Sequence, residues 1–158
     1  MTKIKMDNDM IPIVNKINSL SYDTVWSCSG TEADHPDKDI TVLNSFIGFL
    51  CNNISNQQME NLHNIANECG LFTKIKHNSI DGFVMDIYIP VIGKDGFCDL
   101  LNERFQKRVK PNTWETYYEI KTENEIKRLH GGVIEISDEQ KLKIWNNFLL
   151  LLQPNENV

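Results

Sequence analysis

The sequence predicts an α+β domain whose mixed or antiparallel sheet has about five strands and is flanked by helices. Four segments repeat apolar residues at helical spacing. Five shorter ones are rich in β-branched and aromatic residues and end in turn formers. No linker, repeat or low-complexity stretch divides the 158 residues, so one domain, 1–158, accounts for the whole chain.

The first helix runs from Asp9 to Leu20, with Met10, Ile13, Val14, Ile17 and Leu20 on one face. Asp9 is expected as its N-cap, and Pro12 is tolerated in the first turn. Tyr22 to Trp26 then reads as a strand entering Ser27-Cys28-Ser29-Gly30. The acidic stretch Thr31 to Asp39, with Pro36, is a loop, and Phe46 to Cys51 is the most apolar strand. Ser55 caps a second helix, on which Met59, Leu62, Ile65, Ala66 and Cys69 form the stripe that Gly70 ends.

Phe72 to Lys76 and Phe83 to Ile89 read as paired strands around the turn residues Asn78 to Gly82. In the second of them Phe83, Met85, Ile87 and Ile89 share one face, and Val84, Asp86 and Tyr88 the other. Gly93 to Gly96 is a turn. Phe97 to Val109 is expected as a helix that turns Arg104, Lys107 and Arg108 outward. Trp114 to Lys121 is the fifth strand, and Glu123 to Gly132 reads as a helical turn ended by Gly131-Gly132. Ser137 with Gln140 makes a capping box for the last helix, on which Leu142, Ile144, Trp145, Phe148, Leu149 and Leu152 are apolar.

Composition narrows the function classes. Hydrophobic residues at 41% and charged residues at 24% are ordinary for a soluble globular domain. The polar first ten residues lack a signal-peptide core, and the longest apolar run, Phe148 to Leu152, is too short to span a bilayer. These features point to a cytoplasmic protein without a membrane partner. Cys28, Cys51, Cys69 and Cys98 lack Cys-x-x-Cys spacing, which argues against a zinc site and a disulfide framework. A net charge of −6 disfavours RNA and other polyanions as bulk partners. P-loop, dinucleotide and H-E-x-x-H motifs are absent.

Chemistry concentrates in Trp26, Ser27, Cys28, Ser29, Gly30 and Thr31, where hydroxyls, a thiol and backbone N–H groups gather at a strand end. Two readings stand open: a loop that binds a nucleotide-like or other polar small ligand, or a tight turn with a buried thiol. His35 is the nearest proton-transfer candidate, because free imidazole titrates near neutral pH. With Asp34 and Asp37 it makes too sparse a set for a metal centre, and no metal is expected. Arg104, Lys107 and Arg108, with Lys110, are the candidate phosphate contacts, and Trp114, Tyr117 and Tyr118 offer stacking surfaces. His63 falls on the edge of the apolar stripe and reads as structural or solvated, His77 has no recognisable partner, and His130-Gly131-Gly132 reads either as a close backbone approach to a ligand or as a helix stop. A homodimer through a sheet edge or through a helix face such as the apolar C-terminal run is compatible with the sequence.

The helix followed by Tyr22-Asp23-Thr24-Val25-Trp26-Ser27-Cys28-Ser29-Gly30 resembles the third-enzyme family of wybutosine synthesis, which are tRNA methyltransferases. Ile17-Asn18 and Ser27 to Gly30 stand where that family has its Asn-containing turn and Ser-Cys-Ser-Gly motif. The likeness continues through the strand Phe46 to Cys51 and the helix ending in Asn67-Glu68-Cys69-Gly70-Leu71-Phe72, covering about residues 9–90. It implies S-adenosylmethionine as cofactor and methyl transfer to a nucleobase, with Ser27, Cys28 and Ser29 lining the pocket. Thr31 stands where the family has arginine, and the residues after it are acidic. The motif is also similar to that of small bacterial and phage proteins in which histidine often follows it. The alternative is therefore a non-catalytic accessory protein that binds a nucleotide or a protein partner.

Overall fold

The computed structural model describes residues 7–31, 33–34, 45–89, 91–92, 98–99, 106–110 and 113–156. His35 and Arg104, with the turn at 93–96, lie outside them. The architecture is α+β, with a four-stranded antiparallel sheet and three helices. A 3-10 turn at Asn8–Met10 leads into α1 (Ile11–Ser19). Strands β1 (Thr24–Cys28) and β2 (Phe46–Leu50) precede α2 (Asn56–Glu68), and β3 (Phe72–Asn78) and β4 (Gly82–Tyr88) follow it. The sheet order is β1-β2-β4-β3, so α2 connects two strands that have β4 between them.

Local chemistry sets these boundaries. Ser55 Oγ accepts the Gln58 N–H at 3.1 Å, which starts α2. Asn78 Oδ1 accepts the N–H groups of Ile80 (2.9 Å) and Asp81 (2.7 Å), closing the β3–β4 hairpin. Helix α3 (Asp138–Leu151) begins with the expected capping box: Ser137 Oγ accepts the Gln140 N–H, and Gln140 Oε1 accepts the Ser137 N–H. Asp9 does not act as an N-cap. It lies within the 3-10 turn, and its carboxylate accepts a hydrogen bond from Thr31 instead.

The remaining strands form two further ladders. Val91–Ile92 (β5) pairs with Cys98–Asp99 (β6). Gln106–Lys110 (β7), Thr113–Lys121 (β8) and Ile126–Glu135 (β9) make a three-stranded antiparallel sheet. The expected fifth strand, Trp114 to Lys121, thus belongs to a sheet of its own. The helix expected over Phe97–Val109 is replaced, where described, by β6 and β7. Its apolar spacing ends at Phe105, and 106–110 pair with β8 in a register that sets Lys107 opposite Glu115. The helical turn expected at Glu123–Gly132 is also strand from Ile126 onward. Thr116 pairs with Gly132 and Tyr117 with His130, so Gly131 is the extra residue of a bulge rather than part of a helix stop.

The core lies between one face of the four-stranded sheet and the helices. Ile47 and Phe49 of β2 and Met85 and Ile87 of β4 pack with Ile13, Val14 and Ile17 of α1, Leu62 and Ala66 of α2, and Trp145 and Phe148 of α3. Phe49 is the hub. Its ring meets Tyr22 edge-on at 5.6 Å and Phe148 at 6.4 Å. The polar ends of the buried aromatics are satisfied: Tyr22 Oη donates to the Gln153 carbonyl at 2.8 Å, and Trp145 Nε1 to Ser45 Oγ at 2.7 Å. Asn155 ties the C-terminal tail down by donating to the carbonyls of Ser21 and Asn53, both at 3.1 Å.

Because Phe49 joins β2 to Tyr22 and to α3, Phe49→Ala is expected to cost about 3–5 kcal/mol, whereas Phe49→Leu, nearer in volume, should cost about half of that or less. The shift in urea midpoint at unchanged m-value measures both.

Candidate functional site

The Ser27–Thr31 segment ends edge strand β1, and the structure turns the Ser29 and Thr31 hydroxyls inward. Ser29 and Thr31 are both fully buried. Gly30 between them adopts φ 63°, the left-handed region that a side chain disfavours, and this reversal brings both hydroxyls to one side. Three carboxylates converge on them. The Ser29 N–H donates to Asp7 Oδ2 (2.9 Å), the Ser29 hydroxyl to Asp34 Oδ2 (2.8 Å), and the Thr31 hydroxyl to Asp9 Oδ2 (2.7 Å). The Thr31 N–H returns to Ser29 Oγ at 3.2 Å, and the Asp9 N–H donates to Asp34 Oδ2 at 3.0 Å. Each hydroxyl has one proton and each finds a carboxylate, so the network is internally consistent.

Beneath the loop Lys141, 2% exposed, donates from Nζ to the Gly30 carbonyl. The Ala33 N–H donates to Asp138 Oδ2 at 3.2 Å, so α3 holds the loop through a second contact. Asp7, Asp9 and Asp34 are half-buried. Acidic charge concentrated on one rim repels phosphate and attracts an ammonium or sulfonium group. Among the described residues no group of three or more His, Cys, Asp or Glu side chains is placed to hold a metal ion.

Cys28 is not an activated nucleophile. Burial pushes its thiol up to about 12, and the Asp7 carboxylate adds to the shift, outweighing the lowering by the Gly30 backbone and Lys141. The reactive species of a cysteine is its thiolate, and this one stays protonated at neutral pH.

Trp26 faces the other way, onto the side of the sheet that the helices leave open. The register shift between Thr24 and Ser27 sets Val25 and Trp26 together against Gly48. The indole lies across Gly48: a Cβ built there would fall 2.5, 2.8 and 2.9 Å from three adjacent ring atoms. Beyond Gly48 the Trp26 N–H donates to Asp86 Oδ1 at 2.7 Å, and Lys76 Nζ pairs with Asp86 Oδ2, also at 2.7 Å. Asp86 is thus a buried carboxylate with a partner for each oxygen. Tyr88 and Phe72 extend this face with an edge contact at 6.2 Å.

The sequence candidates therefore separate. Trp26 is half-buried with its ring against Gly48, whereas Ser29, Gly30 and Thr31 brace the rim from inside. Lys107 and Arg108 are adjacent positions of strand β7, not the outward face of a helix. His63 contacts Thr73 Oγ1 at 2.5 Å, and His77 packs on Phe83, so both have local partners. Lys141, Asp86 and Gly48 were not singled out as site residues by sequence reasoning. Each carried a signal: Lys141 stands four residues before Trp145 on the buried helix stripe, Asp86 is the lone charge in an apolar strand, and Gly48 interrupts Phe46 to Leu50.

No family model, curated protein or solved structure matches the chain. Among the described residues no helix is long and apolar enough to cross a membrane.

Gly48→Ala is expected to lift the indole off the sheet and break its bond to Asp86, at a cost of about 1–3 kcal/mol. Urea unfolding gives the cost, and a red-shifted tryptophan emission reports the displaced ring. Stability should also fall in alkali. Burial raises the thiols of Cys28, Cys51 and Cys69 above their ordinary value, so the folded state holds protons that the unfolded chain releases. The contribution is complete below pH 9 and is lost as pH rises toward 12, so the urea midpoint should decline across that window. Replacing the three cysteines with alanine should flatten the decline.

Proposed function

We propose that this chain binds a small ligand that joins a planar base to a cationic group, and that it does so along β1 and its loop. One observation carries the reading. Edge strand β1 carries the flat Trp26 indole, and the loop that ends the strand is rimmed by Asp7 and Asp9 from the turn before α1 and by Asp34. Aromatic faces stack on bases, and a carboxylate rim favours an amino or sulfonium group over a phosphate.

S-adenosylmethionine has both halves, and the likeness of Ser27 to Gly30 to the wybutosine-synthesis motif supports the same choice. In this reading Ser29, Gly30 and Thr31 hold the carboxylates in place, and Trp26 supplies the stacking surface. Cys28 takes no covalent part, because its thiol is protonated. Such a donor would supply the reactive methyl group, and the protein would orient donor and acceptor and exclude water. A binding protein without turnover uses the same contacts.

Calorimetry with S-adenosylmethionine, S-adenosylhomocysteine and AMP tests the proposal. S-adenosylmethionine should bind, and S-adenosylhomocysteine, which lacks the sulfonium charge, should bind at least about tenfold more weakly, or 1.4 kcal/mol. AMP should be weaker again. Trp26→Leu and Asp34→Asn should each reduce the affinity. A preference for AMP, or silence across the panel, would sink the reading. Methyl transfer to unmodified tRNA then distinguishes enzyme from binding module.

A further inference from the structure

We infer that the outer edge of β3 docks an extended, acidic segment of a partner protein, which adds to the sheet as a fifth strand. Strand β3 ends the order β1-β2-β4-β3, and among the described residues no strand lies outside it. The edge is seven residues long, and Phe72 and residues 74–77 are exposed. Unpaired strand edges offer a row of N–H and C=O groups to any chain that can lie alongside.

The two faces of this edge differ. On the helix side α2 covers the start of the strand, where His63 meets Thr73. Further along, Ile75 and Phe83 are 55% and 59% exposed, and Ile80 at the hairpin tip is 91% exposed. The His77 ring lies against Phe83 at 4.8 Å. On the opposite face the register places Lys74 and Lys76 beside the edge. Lys76 spends one ammonium proton on Asp86 while its side chain stays 49% exposed, and Lys74 is exposed as well. An incoming strand therefore meets apolar surface on one face and cations on the other.

Those cations choose the occupant. Antiparallel pairing with a second copy, centred on residue 74, 75 or 76, sets a lysine directly opposite a lysine. Like charges facing each other across strands are unfavourable. A strand that alternates acidic with aliphatic residues reverses that penalty and covers Ile75 and Phe83 as well. The inference is independent of what β1 and its loop bind.

The test is an NMR titration of the full chain with two nine-residue peptides, one alternating valine with glutamate and one alternating valine with lysine. The glutamate peptide should shift and protect amides confined to Phe72–Asn78, and the lysine peptide should bind at least about tenfold more weakly. Lys74→Gln, which removes a cation without setting a second carboxylate opposite Asp86, should narrow the preference for the glutamate peptide. Glutamate-peptide shifts elsewhere, or none at about 1 mM, would overturn the inference. So would sedimentation showing a dimer that Ile75→Asp dissociates, since a second copy would then hold the edge.

Discussion

A carboxylate in the middle of the sheet constrains three strands at once. Asp86 sits on β4 between Gly48 and Lys74 in the register, where an unpaired charge costs several kcal/mol in lost hydration. Lys76 reaches one oxygen from β3. The other is met from β1, two strands away, and the indole of Trp26 must cross β2 to reach it. That crossing leaves no room for a side chain on β2, hence Gly48, and needs a residue re-aimed out of the ordinary pleat, hence the irregularity at Val25-Trp26. The small residue, the bulge and the partner lysine all answer to one charge.

The loop that follows obeys similar accounting with the signs reversed. Buried hydroxyls and backbone N–H groups need acceptors, and the 3-10 turn before α1 supplies them through Asp7 and Asp9. The N-terminal turn is thereby bonded to the end of β1, and Lys141 of α3 is bonded to Gly30 between them. A loop held this way has little freedom to reshape around a ligand. In the proposed reading, recognition there falls to the three half-buried aspartates rather than to the hydroxyls they hold. Preorganised charge of this kind selects for ligand charge more than for ligand shape.

Much of the main sheet and all three of its helices are legible in the sequence, because each declares itself through period and punctuation. Met59, Leu62, Ile65 and Ala66 mark α2 between Ser55 and Gly70, and the capping box opens α3 at Ser137. Residues 97–135 are less legible. There the apolar residues of 97–105 have helical spacing, while the pairing of 106–110 with β8 is a long-range property that no local window contains. The Ser-Cys-Ser-Gly motif shows the same limit at the level of the site. Small polar residues at a strand end mark a special turn, yet whether their hydroxyls face solvent depends on Asp7 and Asp9, some twenty residues earlier. In the sequence Asp9 reads as a helix cap, and nothing ties Asp7 to the loop.

Edge placement explains why the two candidate surfaces differ in kind. β1 is one edge of the sheet, and its strand leaves into a loop whose Ser29 and Thr31 hydroxyls are bonded within the chain to Asp34 and Asp9. β3 is the other edge. Its backbone runs straight for seven residues before the hairpin, and α2 shields only its beginning. A small ligand is recognised by a few fixed charges and a flat surface, whereas an extended chain is recognised by a long backbone edge with alternating side-chain demands. The order β1-β2-β4-β3 puts each kind of surface on its own flank, with Asp86 and its partners bracing the strands between them.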